Sequence, residues 1–415
     1  MIYLKKFFLC LVIYILCVSS YIISSTNFSS NEKIIEKRNV KRSIKEINNF
    51  KYDKEIIDNL STNIRKKRNI IKSQFKWTSP IIYNVHFKLN YELIKTAITA
   101  IARFTCLRFL DRRHVCRSQT GINFIDSKKC FADLGKLSRK GWQNIYIGKE
   151  CNTLGGVVRL ILRTLGVIYE HNRVDRNLFI KVYEQNIDET SKKYFQKHLG
   201  PEIEHLFVSY NYGSLMHFGM YEYSKNGFKT LAPRDHFYVN TVGQQDSLTF
   251  SDAKNINLHY CFPKCYEPIV CENFGYQAPK SCDKCVCIPG YEGDRCEKYT
   301  QSLEMCGSEI MIAKDKPEYY RITGKKYCIY HLKSRSKKKI QLVILKISMD
   351  PNYSSTCSIN NALEVKYWID KTVSGARFCY QKFPKVIKSH DNYIILQYKS
   401  IDPRSYVYFY YKEIP

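Results

Sequence analysis

Apolar residues recur along this chain at two distinct periods. Ile81, Tyr83, Val85 and Phe87 alternate with other residues, which predicts a half-buried strand over 81–87. Asn90 stands where a helix cap belongs, ahead of Ile94, Ala97, Ile98 and Ile101 at helical spacing. Two strand-like runs follow, over 121–126 and 142–148. Residues 157–168 form an apolar stretch at helical period, with two arginines inside it and a glycine to end it. Alone, such a stretch is an ordinary core helix. In the last third, runs over 341–347, 393–398 and 406–411 alternate and are rich in Val, Ile and Tyr, which predicts an all-β sandwich.

The first twenty residues change this picture. Lys5 and Lys6 precede an apolar run over 7–18 and the small residues Ser19 and Ser20, the pattern of a secretory signal peptide over 1–20. A signal anchor is the alternative, because Tyr21, Ile22 and Ile23 prolong the run, but the run is short for a membrane span. Residues 21–68 are rich in Lys, Asn and Ile, lack a core pattern and end in Arg65-Lys66-Lys67-Arg68, a basic processing site. They read as a propeptide cut after Arg68, so the chain is expected to be a secreted zymogen-like protein. The 17 cysteines agree with an oxidising compartment. Cys10 and Cys17 leave with the signal, and the odd number that remains leaves one thiol free or paired between chains. A net charge of +28 then points to extracellular anions, such as sulfated glycans or a membrane surface, rather than nucleic acid. A generally basic, solvated surface accounts for the same number.

Arg159-Leu160-Ile161-Leu162-Arg163, Gly166, and Tyr169-Glu170 with Arg173, Asp175 and Arg176 after them keep the spacing of the zinc-peptidase motif H-E-x-x-H-x-x-G-x-x-H. The flanks agree: Thr105-Cys106-Leu107-Arg108-Phe109 upstream, Tyr212-Gly213-Ser214-Leu215-Met216-His217-Phe218 downstream, then Gly243-Gln244-Gln245 and a closing segment to Cys261. From Trp77 to Cys261 the sequence resembles the astacin family of secreted zinc metalloendopeptidases. The resemblance implies an α+β metzincin-like peptidase domain over 69–262, with disulfides Cys106–Cys261 and Cys130–Cys151. Met216 falls in the Met-turn, beneath the metal in the family. Phe50-Lys51-Tyr52-Asp53 resembles the family's propeptide motif, whose Asp caps the zinc, with Tyr in the place of a Gly.

Residues 263–300 resemble an EGF-like module, which implies the pairs Cys265–Cys282, Cys271–Cys285 and Cys287–Cys296; a zinc ribbon at Cys282 and Cys285 is the alternative. Residues 306–415 resemble a CUB domain, which implies Cys306–Cys328 and Cys357–Cys379. Cys116 is then the free thiol. Many CUB domains hold calcium through an Asp shortly after the third Cys, but here Ser358, Ile359, Asn360 and Asn361 follow Cys357. The densest basic run, Lys333, Arg335, Lys337, Lys338 and Lys339, would bind heparin-like chains if exposed on a loop.

The resemblance implies zinc proteolysis, and the residues oppose it. The three zinc-His places hold Arg159, Arg163 and Tyr169, the general-base place holds Leu160, and the place of the family's helper Tyr holds Phe218. A guanidinium stays protonated and has no free lone pair, and Tyr ligates only as phenolate. Leu160 cannot accept a proton from water. His171, His205 and His217 offer no second pair at i, i+4 on this helix. The expectation is a catalytically inactive homologue without cofactor that binds an extracellular peptide or protein, or acts as a decoy. An active zinc peptidase with unusual ligands is one alternative, and adhesion or glycan binding through the EGF and CUB modules is another. Arg159 and Arg163 share a helix face and need an anion; Glu170 is the nearest in sequence, Asp53 serves before processing, and a bound peptide's carboxylate serves after it.

Overall fold

The computed structural model describes residues 68–71, 75–114, 120–199, 203–205, 208–261, 265–301, 304–351, 356–381 and 383–415. The signal over 1–20, the propeptide up to Lys67 with its Asp53 motif, and Cys116 lie outside the described residues.

The first sheet has the order β3-β2-β4-β6-β5, made of β2 (Ile81–Val85), β3 (Phe109–Asp111), β4 (Thr120–Asp126), β5 (Phe131–Ala132) and β6 (Gly141–Ile147). All its pairs are parallel except β5 with β6, so β5 forms an antiparallel edge. Strand β2 stops at Val85, and Phe87, expected as its last inward position, is 84% exposed. The chain leaves the sheet there for the cap Asn90, whose side chain accepts from the Leu93 amide at 3.1 Å. Helix α1 (Tyr91–Phe104) buries Ile94, Ala97, Ile98 and Ile101, the stripe that its spacing predicts. Helix α2 (Leu154–Thr164) packs in the same core through Val158, Ile161 and Leu162, with Ile122, Phe124 and Ile145 from the sheet.

Helix α2 begins before the predicted stretch and ends inside it. Thr153 caps it by accepting from Gly156 N at 3.1 Å. It closes at Leu165, followed by Gly166 at φ +94, the left-handed conformation that ends a helix. Gly155 permits a close approach: a Cβ there would lie 1.8 Å from the Gln245 carbonyl oxygen. Beyond α2 the backbone runs mostly in turns, with two two-stranded sheets. One joins β1 (Arg68–Ile71) to β8 (Ile203–His205), the other β7 (Ile180–Val182) to β9 (Leu231–Pro233). Helix α3 (Phe250–Ile256) carries a full capping box between Thr249 and Asp252.

A small disulfide-rich segment follows, with two hairpins: β10 (Tyr276–Gln277) with β11 (Cys285–Val286), and β12 (Tyr291–Glu292) with β13 (Lys298–Tyr299). The chain ends in a β-sandwich. Its five-stranded sheet has the order β14 (Ile310–Ala313), β16 (Tyr327–Ser334), β21 (Tyr393–Lys399), β18 (Ala362–Lys366), β19 (Ala376–Phe378). The four-stranded sheet has the order β15 (Glu318–Thr323), β22 (Tyr406–Ile414), β17 (Lys339–Ser348), β20 (Lys385–Lys388).

The structure joins Cys106–Cys261, Cys130–Cys151, Cys265–Cys282, Cys271–Cys285, Cys287–Cys296, Cys306–Cys328 and Cys357–Cys379. Cys282 and Cys285 are thereby oxidised in separate bridges, which rules out the zinc-ribbon alternative. The sandwich is not a tethered bead. Its core continues into Ile180, Phe195, Tyr210, Tyr212, Leu231 and Tyr238 as one apolar cluster. Hydrogen bonds stitch the seam: Arg377 N to Thr241 Oγ1 at 2.8 Å, Cys357 N to Asn240 O at 2.8 Å, and Ile359 N to Asp246 Oδ2 at 2.7 Å. One expectation for the basic run fails here. Lys333 is half-buried on β16, with its ammonium on the Tyr299 hydroxyl, and only 335–339 form an exposed tip.

Candidate functional site around Arg159 and Arg163

Arg159 and Arg163 lie one turn apart on α2 and reach in different directions. Arg159 crosses to the Met216 turn: its Nε donates to Leu215 O at 2.9 Å and its Nη2 to His217 O at 3.3 Å. Its Nη1 meets Glu222 Oε1 at 3.3 Å, and that oxygen also accepts from Gly219 N at 2.9 Å. Arg163 crosses to the sheet edge, where its Nε donates to Ala132 O of β5 at 2.9 Å. Its guanidinium lies over the Tyr169 ring, 5.0 Å from the centroid. Arg159 therefore ties α2 to the turn beneath it, and Arg163 ties α2 to the strand beside it.

Glu170 does not compensate either arginine, contrary to the expectation from sequence proximity. It is buried and pairs with Arg173 at 3.2 Å, while Arg173 also forks onto Asp175 at 2.9 and 2.8 Å. The compensating carboxylate is Glu222, which sequence reasoning missed. It lies 63 residues from Arg159, with no period or motif to link the two.

The family model for the astacin peptidases matches residues 69–261, and that for the CUB domain matches residues 306–410. The chain carries an astacin domain. Among its relatives, zinc metalloproteinase nas-34 of Caenorhabditis elegans is 29% identical over 344 residues, 82% of this chain and 56% of that protein. Zinc metalloproteinase nas-37 of the same organism is 30% identical over 311 residues, 74% of this chain and 39% of that protein. The chain thus spans about half the length, or less, of these two curated relatives. Among solved structures, high choriolytic enzyme 1, a hatching enzyme zinc-protease from Oryzias latipes (medaka fish), aligns at 25% identity and a TM-score of 0.40, over 45% of this chain and 94% of that one.

Aromatic rings surround Tyr169, the residue expected at the third ligand place of the motif. Tyr169 stacks on His171 at 5.3 Å and meets Phe218 at 4.8 Å; His171 and Phe218 stack at 3.8 Å, with Phe195 at 5.5 Å from both. Burial raises the Tyr169 phenol above its ordinary range, against the pull of Arg163 and Arg159, so the ring stays protonated. His217 is locked between neighbours: Nδ1 donates to Phe218 O at 2.7 Å, which leaves Nε2 to accept from the Tyr210 hydroxyl at 2.7 Å. His171 Nε2 donates to Tyr194 O at 3.1 Å. Burial pushes His217 down to about 4 and His171 well below its ordinary value, so both rings are neutral at physiological pH. Leu160, expected at the general-base place, is buried in the same apolar cluster as Met216.

These residues do not fit zinc. A zinc site needs lone pairs converging on one point. Arg159 and Arg163 have none, and their N–H groups are committed to the carbonyls of Leu215, His217 and Ala132. Tyr169 is held as a neutral phenol under a guanidinium. Among the described residues, no three His, Cys, Asp or Glu converge as a metal-ligand group elsewhere.

Proposed function

We propose that this chain is a catalytically inactive astacin homologue, secreted and processed after Arg68, that acts outside the cell as a binding or decoy protein. One observation carries the reading: the Arg159 guanidinium bridges Leu215 O, His217 O and Glu222 from a place where the family has a zinc ligand. An astacin acidifies a water on its metal and passes the proton to Glu. Here Arg159 and Arg163 have no lone pair to offer a metal, Tyr169 is a neutral phenol, and Leu160 cannot take a proton. The leader sequence and the seven disulfides support secretion. Chelators should leave the protein's melting temperature unchanged, since disulfides rather than a metal would hold the domain.

The test is elemental analysis of the secreted protein, purified without chelator, together with a digest of a generic peptide library. The expected result is far less than one zinc per chain and no cleavage; near-stoichiometric zinc overturns the proposal. A second, glycan-binding activity is supported by the exposed tip of Arg335, Lys337 and Lys338 between β16 and β17, with Lys339 opening β17. Neutralising these four should lower the salt needed to elute the protein from heparin.

A further inference from the structure

Beyond the 3-10 turn Glu170–Asn172, the chain forms an open cleft of about 680 Å³ between β7 and residues 196–199. Its walls carry four cations, Arg176, Lys181, Lys197 and Arg234, against one carboxylate, Glu184. Among the described residues none of the four cations is joined to a carboxylate by an ion pair. Three of them bond only to backbone carbonyls: Arg176 to His171 and Phe195, Lys197 to Val174 at 3.1 Å, and Arg234 to Asn177 at 2.6 Å. Lys181 rests over the Tyr183 ring.

Arg176 marks the cleft as built rather than incidental. The residue is only 7% exposed, and its Nε is buried without any hydrogen-bond partner. An orphaned donor on a buried guanidinium is costly, so the fold keeps this cation at the cleft wall at some expense. Burial first, and then the nearby Arg176, hold the Lys197 ammonium below its ordinary pKa, against the pull of Asp175.

The remaining lining decides what kind of anion fits. Among the described residues strand β7 pairs only with β9, and no strand lies along its other edge. The bonds Arg234 N to Phe179 O and Tyr183 N to Thr230 O bracket that ladder. Ile180 and Val182 are therefore its non-hydrogen-bonded positions, with backbone groups turned toward the free edge. Apolar surface from Val182 and from Leu199, 74% exposed, lies beside the cations. A sulfated glycan has no use for a strand edge or for aliphatic seats. An extended peptide with acidic and apolar side chains uses both.

We infer that this cleft binds an extended acidic peptide segment of a partner protein, laid along the free edge of β7, with its carboxylates on Arg176, Lys181, Lys197 and Arg234. The inference goes beyond loss of catalysis and does not depend on it, because its test reads binding alone. The secreted protein is titrated into a fluorescein-labelled octapeptide of alternating Glu and Val, its Gln-for-Glu twin, and a heparin octasaccharide, with anisotropy as readout. The Glu peptide should bind, weaken with added salt, and exceed the Gln twin about tenfold. The triple variant Lys181→Gln, Lys197→Gln, Arg234→Gln should lose about tenfold in affinity with an unchanged melting temperature, since these side chains lie at or near the surface. Arg176→Lys, which keeps the charge but removes the buried fork, should also weaken binding. Equal affinity for the two peptides, or equal affinity of the triple variant and the parent, overturns the inference. Capture of the octasaccharide through these residues, with the Glu peptide unbound, overturns it in favour of a glycan site.

Discussion

Replacing Arg159 by Met tests whether a guanidinium now ties α2 to the turn of Met216. Met fills a similar apolar volume, so the change removes the polar head with little loss of packing. Three contacts go: Leu215 O at 2.9 Å, His217 O at 3.3 Å and Glu222 Oε1 at 3.3 Å. The Arg159 side chain is 12% exposed, so water reaches the vacated acceptors only in part. Leaving a buried acceptor unpaired costs roughly 1–3 kcal/mol, and two carbonyls are affected. The 3.3 Å contact counts for less than the 2.9 Å one, and the expected loss is about 2–4 kcal/mol. Glu222 is more exposed, and as Gln it can still accept from Gly219 N, so Glu222→Gln should cost only about 0.5 kcal/mol. Arg163→Met gives up one carbonyl contact and the ring stack, about 1–1.5 kcal/mol. Urea denaturation with the disulfides intact, followed by tryptophan fluorescence, reads all three as midpoint shifts. Arg159→Met within about 0.5 kcal/mol of the parent would refute the reasoning. So would Glu222→Gln costing as much as Arg159→Met, since the ion pair rather than the carbonyls would then be what holds the turn.

Two further outcomes follow from the same geometry. His217 and His331 have folded-state pKa values pushed down by burial to about 4, against an ordinary 6.5, and His171 is lowered too. Above about pH 6.5 neither the folded nor the unfolded chain protonates these rings, and their contribution is at its maximum. As pH falls toward 4 the unfolded chain takes up protons that the folded one refuses, so stability is lost through that window, by up to ~3 kcal/mol for each fully shifted ring. Melting temperature against pH should show the fall, and His331→Gln should make it shallower. Removal of residues 306–415 should leave the astacin domain insoluble, because Tyr210, Tyr212, Leu231 and Tyr238 share their core with the sandwich; a soluble monomer with the parent's melting temperature would count against a common core.

Local features of the sequence carry a large part of the fold. The stripe Ile94, Ala97, Ile98, Ile101 needs only a helical period and a cap at Asn90, and both appear as spaced. The glycine in the motif needs only its own freedom, and Gly166 takes φ +94 to end α2. Alternation overextends strand β2 by a residue pair, because it cannot tell the last inward side chain from the first of a loop. Charge counted along one dimension groups Lys333 with its basic neighbours, because it ignores which face of β16 a residue occupies.

The sequence alone determined that Arg159 and Arg163 have no lone pair to give, that Leu160 cannot take a proton, and that Phe218 has no hydroxyl. These are properties of the residues themselves at motif positions, and no folding is needed to know them. What the arginines do instead was decided by tertiary structure. Sequence proximity favours Glu170, yet that carboxylate turns to Arg173, and Arg159 finds Glu222 and the carbonyls of Leu215 and His217. The physical reason is that a guanidinium reaches several ångströms and takes any acceptor the fold brings within range. Backbone carbonyls are present at every residue and leave no mark in the sequence. The same holds for the cleft at Arg176: its four cations are spread over residues 176–234, and only the crossing of β7, β9 and the 196–199 segment gathers them around one space.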